Sequence, residues 1–280
     1  MIDQVSNMWI TGTKMREDCL RIGLTPGDIV MVHASLRAVG PILGGPDVLI
    51  DAILNTIGTS GTMMVYVGCQ LPFDAIGRGM YSPAEEALIV QHCPPFNPDV
   101  ARADREFGSL AELFRTRDGV RCSAQVGSRM AACGARAQSV LQTSGLDYPL
   151  GKNSPLEHLY EAGGKVLLIG SDPDHVTLLH YAEAIAPVEN KRTLHIRVPW
   201  LVNGRREWID VTEFDSSRGI RDWRDRFFAH VVTRFIADER ATSGTIGNAT
   251  SYLIGARELV DFAVPMMVQE ANRYFSSPLN

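Results

Sequence analysis

No stretch of the 280-residue chain approaches the roughly 20 consecutive apolar residues that a membrane-spanning helix needs. The start, "MIDQVSNMWITGTKMREDCL", has no basic segment leading into an apolar core, so it does not read as a secretory leader. Cysteine is sparse and odd in number: Cys19, Cys69, Cys93, Cys122 and Cys133 are widely spaced, with no CxxC and no histidine cluster at zinc-ligand spacing. They read as reduced thiols, no metal is expected, and the chain is expected to be cytoplasmic. Basic charge is short as well, with 27 Lys and Arg against 32 Asp and Glu for a net charge of -5. That balance excludes the cationic face that a nucleic-acid backbone demands and suits a cationic small molecule better.

What is present is a globular composition, 45% hydrophobic and 21% charged, with enough apolar surface for one sizeable core. A helix is predicted from about Thr13 to Ile22, stopped by Gly23 and the turn "TPGD". "DIVMVHAS" reads as a buried strand that ends in small polar residues, as in α/β sheets whose C-terminal edge carries the site. The loop "LRAVGPILGGP", a helix over "DVLIDAILNTIG" and a strand in "GTMMVYVG" complete a βαβ-like unit. This loop carries neither GxGxxG nor GxxxxGK[ST], so it signals no dinucleotide or nucleoside triphosphate.

From Cys69 to about Gly119 the periodicity fades into a long acidic excursion, with short helices at "PAEEALIVQH" and "SLAELFRT". Insertions of this length commonly shape pockets. Beyond it, "CSAQVGSRMAACGARA" reads as a strand, "SPLEHLYEAGG" as a capped helix and "KVLLIG" as a strand. "TLHIRVPWLVNGRREWIDVTEF" reads as a hairpin about "NGRR". "DWRDRFFAHVVTRFIADER" is an amphipathic helix, and "ARELVDFAVPMMVQEANRYF" a last one, interrupted at Pro265.

The stretch "HVTLLHYAE" follows "KVLLIG". On a helix His180 and Glu183 stand three apart on one face, whereas His175 points elsewhere and is a bystander. An imidazole held by a carboxylate can remove a proton from an attacking group, although the spacing alone equally describes a plain helical pair. Cys69, after the strand "MMVYVG", opens a second enzyme reading, as a thiolate that accepts an acyl group and passes it on with His180 as base.

Four separated segments together resemble the aminoglycoside 3-N-acetyltransferases: "IGLTPGDIVMVHASLRAVGPILGGPDVLIDAI", "EEALIVQHCPPFNPDVARADREFGSLAELFRT", "SPLEHLYEAGGKVLLIGSDPDHVTLLHYAEAIAPVENKR" and "EFDSSRG". The resemblance runs from about Leu24 to Phe262. It implies a single antibiotic N-acetyltransferase domain over 1–280, of α/β class, with a central mixed sheet flanked by helices and an acidic helical excursion shaping the substrate cleft. It implies acetyl-coenzyme A as cosubstrate, an aminoglycoside as partner, no nucleic acid or membrane, and a monomer or homodimer. In that reading His180 is the base and Glu183 its orienting carboxylate. His33, Ser35, Leu36, Arg37, Val39, Gly40 and Ser123 hold coenzyme A, and Asp74, Glu85, Asp172, Glu213 and Asp215 receive the polycation, with Glu86 a further acidic candidate.

The chain departs from the family at Gln125 and Val126, where a His-Pro step is usual, at Asn97 in "PPFNP", and across "YVGCQLPFDAIGRGMYS". These departures bear on acceptor range more than on reaction type. Two other readings stay open: acetylation of a different amine, and a non-catalytic binder of cationic drugs.

Overall fold

In the computed structural model, which describes residues 9–69, 75–215 and 219–276, the β-branched run after "TPGD" forms β1 (Ile29–Ala34), buried over its first four residues. It is preceded by α1 (Gly12–Arg21), N-capped by the Thr11 side chain. It is followed by α2 (Leu36–Val39) and α3 (Asp47–Ile57). β2 (Thr62–Tyr66) then pairs parallel with β1, giving the βαβ unit that the sequence predicts.

The excursion holds α4 (Pro83–His92) and α5 (Ser109–Arg115), at the two places read from the sequence. β3 (Arg121–Cys122) and β4 (Met130–Gly134) extend the sheet antiparallel beyond β2. After α6 (Ala137–Val140) and α7 (Pro155–Glu161), β5 (Lys165–Ile169) pairs parallel on the other side of β1. α8 (Leu179–Ile185) leads to the hairpin of β6 (Thr193–Val202) and β7 (Arg205–Phe214). α9 (Phe227–Ala237), β8 (Thr242–Ile246), β9 (Ala249–Gly255) and α10 (Ala256–Ser276) complete the described fold. The central sheet has seven strands in the order β3-β4-β2-β1-β5-β9-β8, parallel at its centre and antiparallel at both edges.

Strand alternation divides the core between the two faces of this sheet. Ile29 and Met31 of β1 join Val166 and Leu168 of β5 against α8, α9 and α10. Val30, Val32, Leu167 and Ile169 face the other way, against α1, α3 and α5. Each such side chain contributes about 1.5–3 kcal/mol when fully buried.

The hairpin forms as the sequence predicts, as a separate two-stranded sheet. It packs on the excursion through a third apolar cluster that includes Phe96, Val126, Ile196 and Val198. β8 and β9 had no counterpart in the predicted elements. α9 begins only at Phe227, because Arg226 adopts φ 52, outside helical space. α10 runs unbroken through Pro265, where the loss of one N–H is outweighed by the buried stripe of Val260, Ala263 and Met267 on both sides of it.

The excursion is fastened to the sheet by Arg129, next to β4, whose residue has no exposed surface. Its Nε donates to the Gly68 carbonyl at 3.0 Å, Nη1 to Pro98 at 2.6 Å and Nη2 to Ala101 at 2.5 Å. Burial lowers the pKa of this guanidinium, and the three carbonyl dipoles take the place of the water it has lost.

Candidate active site

A cleft of about 970 Å³ opens at the C-terminal ends of β1, β2 and β5, where parallel strands of α/β sheets deliver their functional loops. Its floor carries His33, Tyr66 and Ser128; its sides come from the turn Asp104–Gly108, residues 170–177, α8, Glu213 of the hairpin and residues 223–228. Carboxylates outnumber arginines on this lining by seven to three, so the cleft attracts cations.

His180 and Glu183 stand on one face of α8, as their spacing predicts, with Nδ1 donating to Oε2 at 2.7 Å. The carboxylate side chain is 2% exposed and the imidazole 23%. Glu183 therefore lacks water and relies on protein donors. Its second oxygen, Oε1, accepts from Trp223 Nε1 at 2.5 Å and from the Ile220 backbone at 3.4 Å. The imidazole ring lies 4.9 Å from the Phe228 ring. Trp223, forty residues beyond Glu183 on the far side of the hairpin, carries no local sequence signal of this contact.

His175 sits on a separate 3₁₀ turn, Pro173–His175, rather than on the helix of His180, and it lines the same cleft. Opposite lies His33, whose Nε2 is buried and, among the described residues, without a hydrogen-bond partner. Burial pushes this imidazole down to about 4, and His175 adds to the effect.

The loop after β1 is held by its own backbone. Ser35 Oγ caps α2 by accepting from Ala38 N at 3.3 Å, and Ser35 N donates to Ile169 O at 2.9 Å. Val39 is wholly buried in the core, Arg37 is exposed, and Gly40 turns with φ 96. Of the residues assigned to coenzyme A, His33 and Ser35 line the cleft, and Leu36, Arg37, Val39 and Gly40 lie in the loop beside it. Ser123 is elsewhere. Its Oγ accepts from Met130 N at 3.0 Å, and it borders a second hollow of about 420 Å³ with Arg115, Cys122 and Gln138.

The acidic candidates separate in the same way. Glu213 and Asp172 line the cleft. Asp172 also caps the turn of His175 and pairs with Arg226 at 2.6 Å, and the Asp174 N–H followed by Arg226 lowers its pKa. Glu85 instead closes a capping box with Ser82, and Glu86 accepts from Gly77 N at 2.8 Å, so neither borders the cleft. Asp215 is buried and does not line it, while Asp74 lies outside the described residues. The excursion reaches the cleft through Cys69, Arg78, Asp104, Glu106, Phe107 and the start of α5 rather than through α4. Those two carboxylates, like Asp174 and Asp225, are brought there by tertiary packing.

A family model described as aminoglycoside 3-N-acetyltransferase matches residues 31–268. Aminoglycoside N(3)-acetyltransferase III of Pseudomonas aeruginosa is 36% identical over 243 residues, 87% of this chain and 88% of that protein. Among solved structures, a binary complex of AAC-IIIb with CoASH superposes with a TM-score of 0.88 at 35% identity, covering 97% of this chain and 100% of that one. A structure of AAC-VIa with bound sisomicin superposes with a TM-score of 0.85 at 33% identity, covering 92% and 97%.

Proposed function

The chain belongs to the aminoglycoside 3-N-acetyltransferase family, and from that premise we propose that it moves acetyl from acetyl-coenzyme A directly to the 3-amine of a 2-deoxystreptamine ring, with His180 as general base, conferring aminoglycoside resistance. The observation that carries this reading is the His180–Glu183 pair in an acidic cleft. Acetyl-coenzyme A is supported by the CoASH complex of AAC-IIIb and the acceptor class by the sisomicin complex of AAC-VIa. The cleft fits two reactants, since about 970 Å³ lies at the upper end of small-molecule pockets.

An aminoglycoside amine is largely protonated at neutral pH and attacks only as the free base. The carboxylates of the cleft hold the remaining ammonium groups and orient the ring. With Nδ1 donating to Glu183, the other nitrogen of His180, Nε2, takes the proton that the amine sheds as the new C–N bond forms. The C–S bond of the thioester then breaks, and the same proton goes to the departing sulfur. Glu183 stabilises the imidazolium in between.

A covalent route favours Cys69, which also lines the cleft. It would carry the acetyl group as a thioester before passing it to the amine, and would show ping-pong kinetics. Incubation with acetyl-coenzyme A and gentamicin, followed by thiol release, tests the overall reading. Release is expected in proportion to acetylated drug. No release with any aminoglycoside would leave a binder, or an enzyme for another amine.

A further inference from the structure

The Glu183 carboxylate ends on a bond with broad rotation, so its geometry toward His180 depends on what holds the second oxygen. Trp223 does this with a group that can only donate, at 2.5 Å. The indole is itself fixed: its ring stacks on Phe227 at 5.2 Å and 27°, and its backbone N–H donates to Arg221 O at 2.9 Å. Gly219 is shaped to it, because a Cβ there would stand 2.5 Å from Trp223 Cδ1, and φ is already 75. Arg192 gathers the segment, donating from Nε to Gly219 O at 3.1 Å and from Nη1 to Asp222 at 2.5 Å, while its backbone N–H donates to Ile220 O at 2.8 Å.

We propose that Trp223 is a positioning residue for the general base. It acts through Glu183, taking Oε1 so that Oε2 stays on His180 Nδ1, and the loop of residues 219–225 is a clamp built to keep it there. The inference rests on His180 being the base. Lys191, after α8, feels the charge of Glu183 and donates to Ala184 O at 2.6 Å. Across the cleft the 3₁₀ turn and α9 bring His175, Asp172 and Arg226, and the hairpin brings Glu213.

Trp223→Phe keeps the ring and removes the donor. It is expected to lower kcat roughly 10- to 100-fold, as for a lost hydrogen bond to a charged group, with KM for both substrates changed less than about 3-fold. Glu183 then shares less of its charge and holds protonated His180 more strongly, so the acid limb of the kcat profile moves to higher pH. Glu183→Gln moves that limb to lower pH. The double variant is expected to be no slower than Glu183→Gln alone, because Trp223 acts only through that carboxylate. Gly219→Ala, which keeps the indole but displaces it, is expected to reproduce the limb shift, and this reading stands even if Trp223→Phe does not fold. An unmoved limb, or single losses that multiply in the double variant, would overturn the positioning role. Wild-type turnover in His180→Ala would instead remove the base reading on which it rests, so the two failures are distinguishable.

Discussion

The Asn248 side chain fills the space that a Cβ on Gly40 would need: a Cβ there would stand 2.6 Å from Asn248 Nδ2, and Gly40 has φ 96. The turn between β8 and β9 thus buttresses the loop that follows β1, with Asn248 N donating to Val39 O at 3.0 Å. Gly40→Ala is expected to push this loop off its support and raise KM for acetyl-coenzyme A by roughly 10-fold, with a smaller change in kcat. Steady-state kinetics at saturating aminoglycoside check it, and an unchanged KM would detach this loop from coenzyme A binding.

His180→Ala is expected to lower kcat by roughly 10² to 10⁴-fold, the ordinary contribution of a general base. Coenzyme A binding, measured by calorimetry, should change little. Turnover like that of the unaltered enzyme would mean that another group takes the proton.

Cys69→Ser separates direct from covalent transfer. Direct transfer predicts near-normal turnover and intersecting initial-rate patterns for the two substrates. Loss of activity together with parallel patterns in the parent enzyme would favour a thioester on Cys69.

Arg129→Met removes the donors of three hydrogen bonds to backbone carbonyls. A loss of roughly 3 kcal/mol or more in unfolding free energy is expected, read from urea denaturation. An unchanged midpoint would show that the excursion does not depend on this residue.

His33 makes stability depend on pH. Its folded-state value is lowered from 6.5 to about 4, so between those values the unfolded chain binds more protons than the native one. Stability therefore rises with pH across this window and falls as pH drops from 6.5 toward 4. In His33→Asn that part of the slope should vanish. Identical slopes in the two proteins would show that His33 does not titrate on unfolding.

The parts of the site that the sequence discloses are those made by local periodicity. β1, its glycine-bearing loop and the three-residue step from His180 to Glu183 each lie within one element, where a side chain's direction follows from its spacing. Trp223 and Arg129 reach their partners across dozens of residues, and nothing in their own neighbourhood marks them. Glu85 misleads for a related reason: an acidic residue in the first turn of a helix suits a pocket or a cap equally well, and the Ser82 hydroxyl three residues earlier makes it a cap. β8 and β9 escape because Thr, Ser and Gly fill an edge hairpin whose weak alternation resembles a loop.

The hairpin shares no ladder with the seven-stranded sheet; its tip is tied to the end of α4 through Arg206 and Trp208. It is nevertheless the element that brings Glu213 into the cleft. One wall of the cleft is therefore an attachment, joined to the rest by side chains and by single backbone hydrogen bonds such as Phe96 N to Pro199 O and Tyr148 N to Thr212 O, whereas His33 and His180 are held by the sheet and a helix packed on it. Exchanging Leu194 or Glu213, which face each other at the base of the hairpin, would redraw the outline offered to a bound amine while the His180–Glu183 pair kept its register. A chain arranged in this way can diverge in what it admits long before it diverges in what it does.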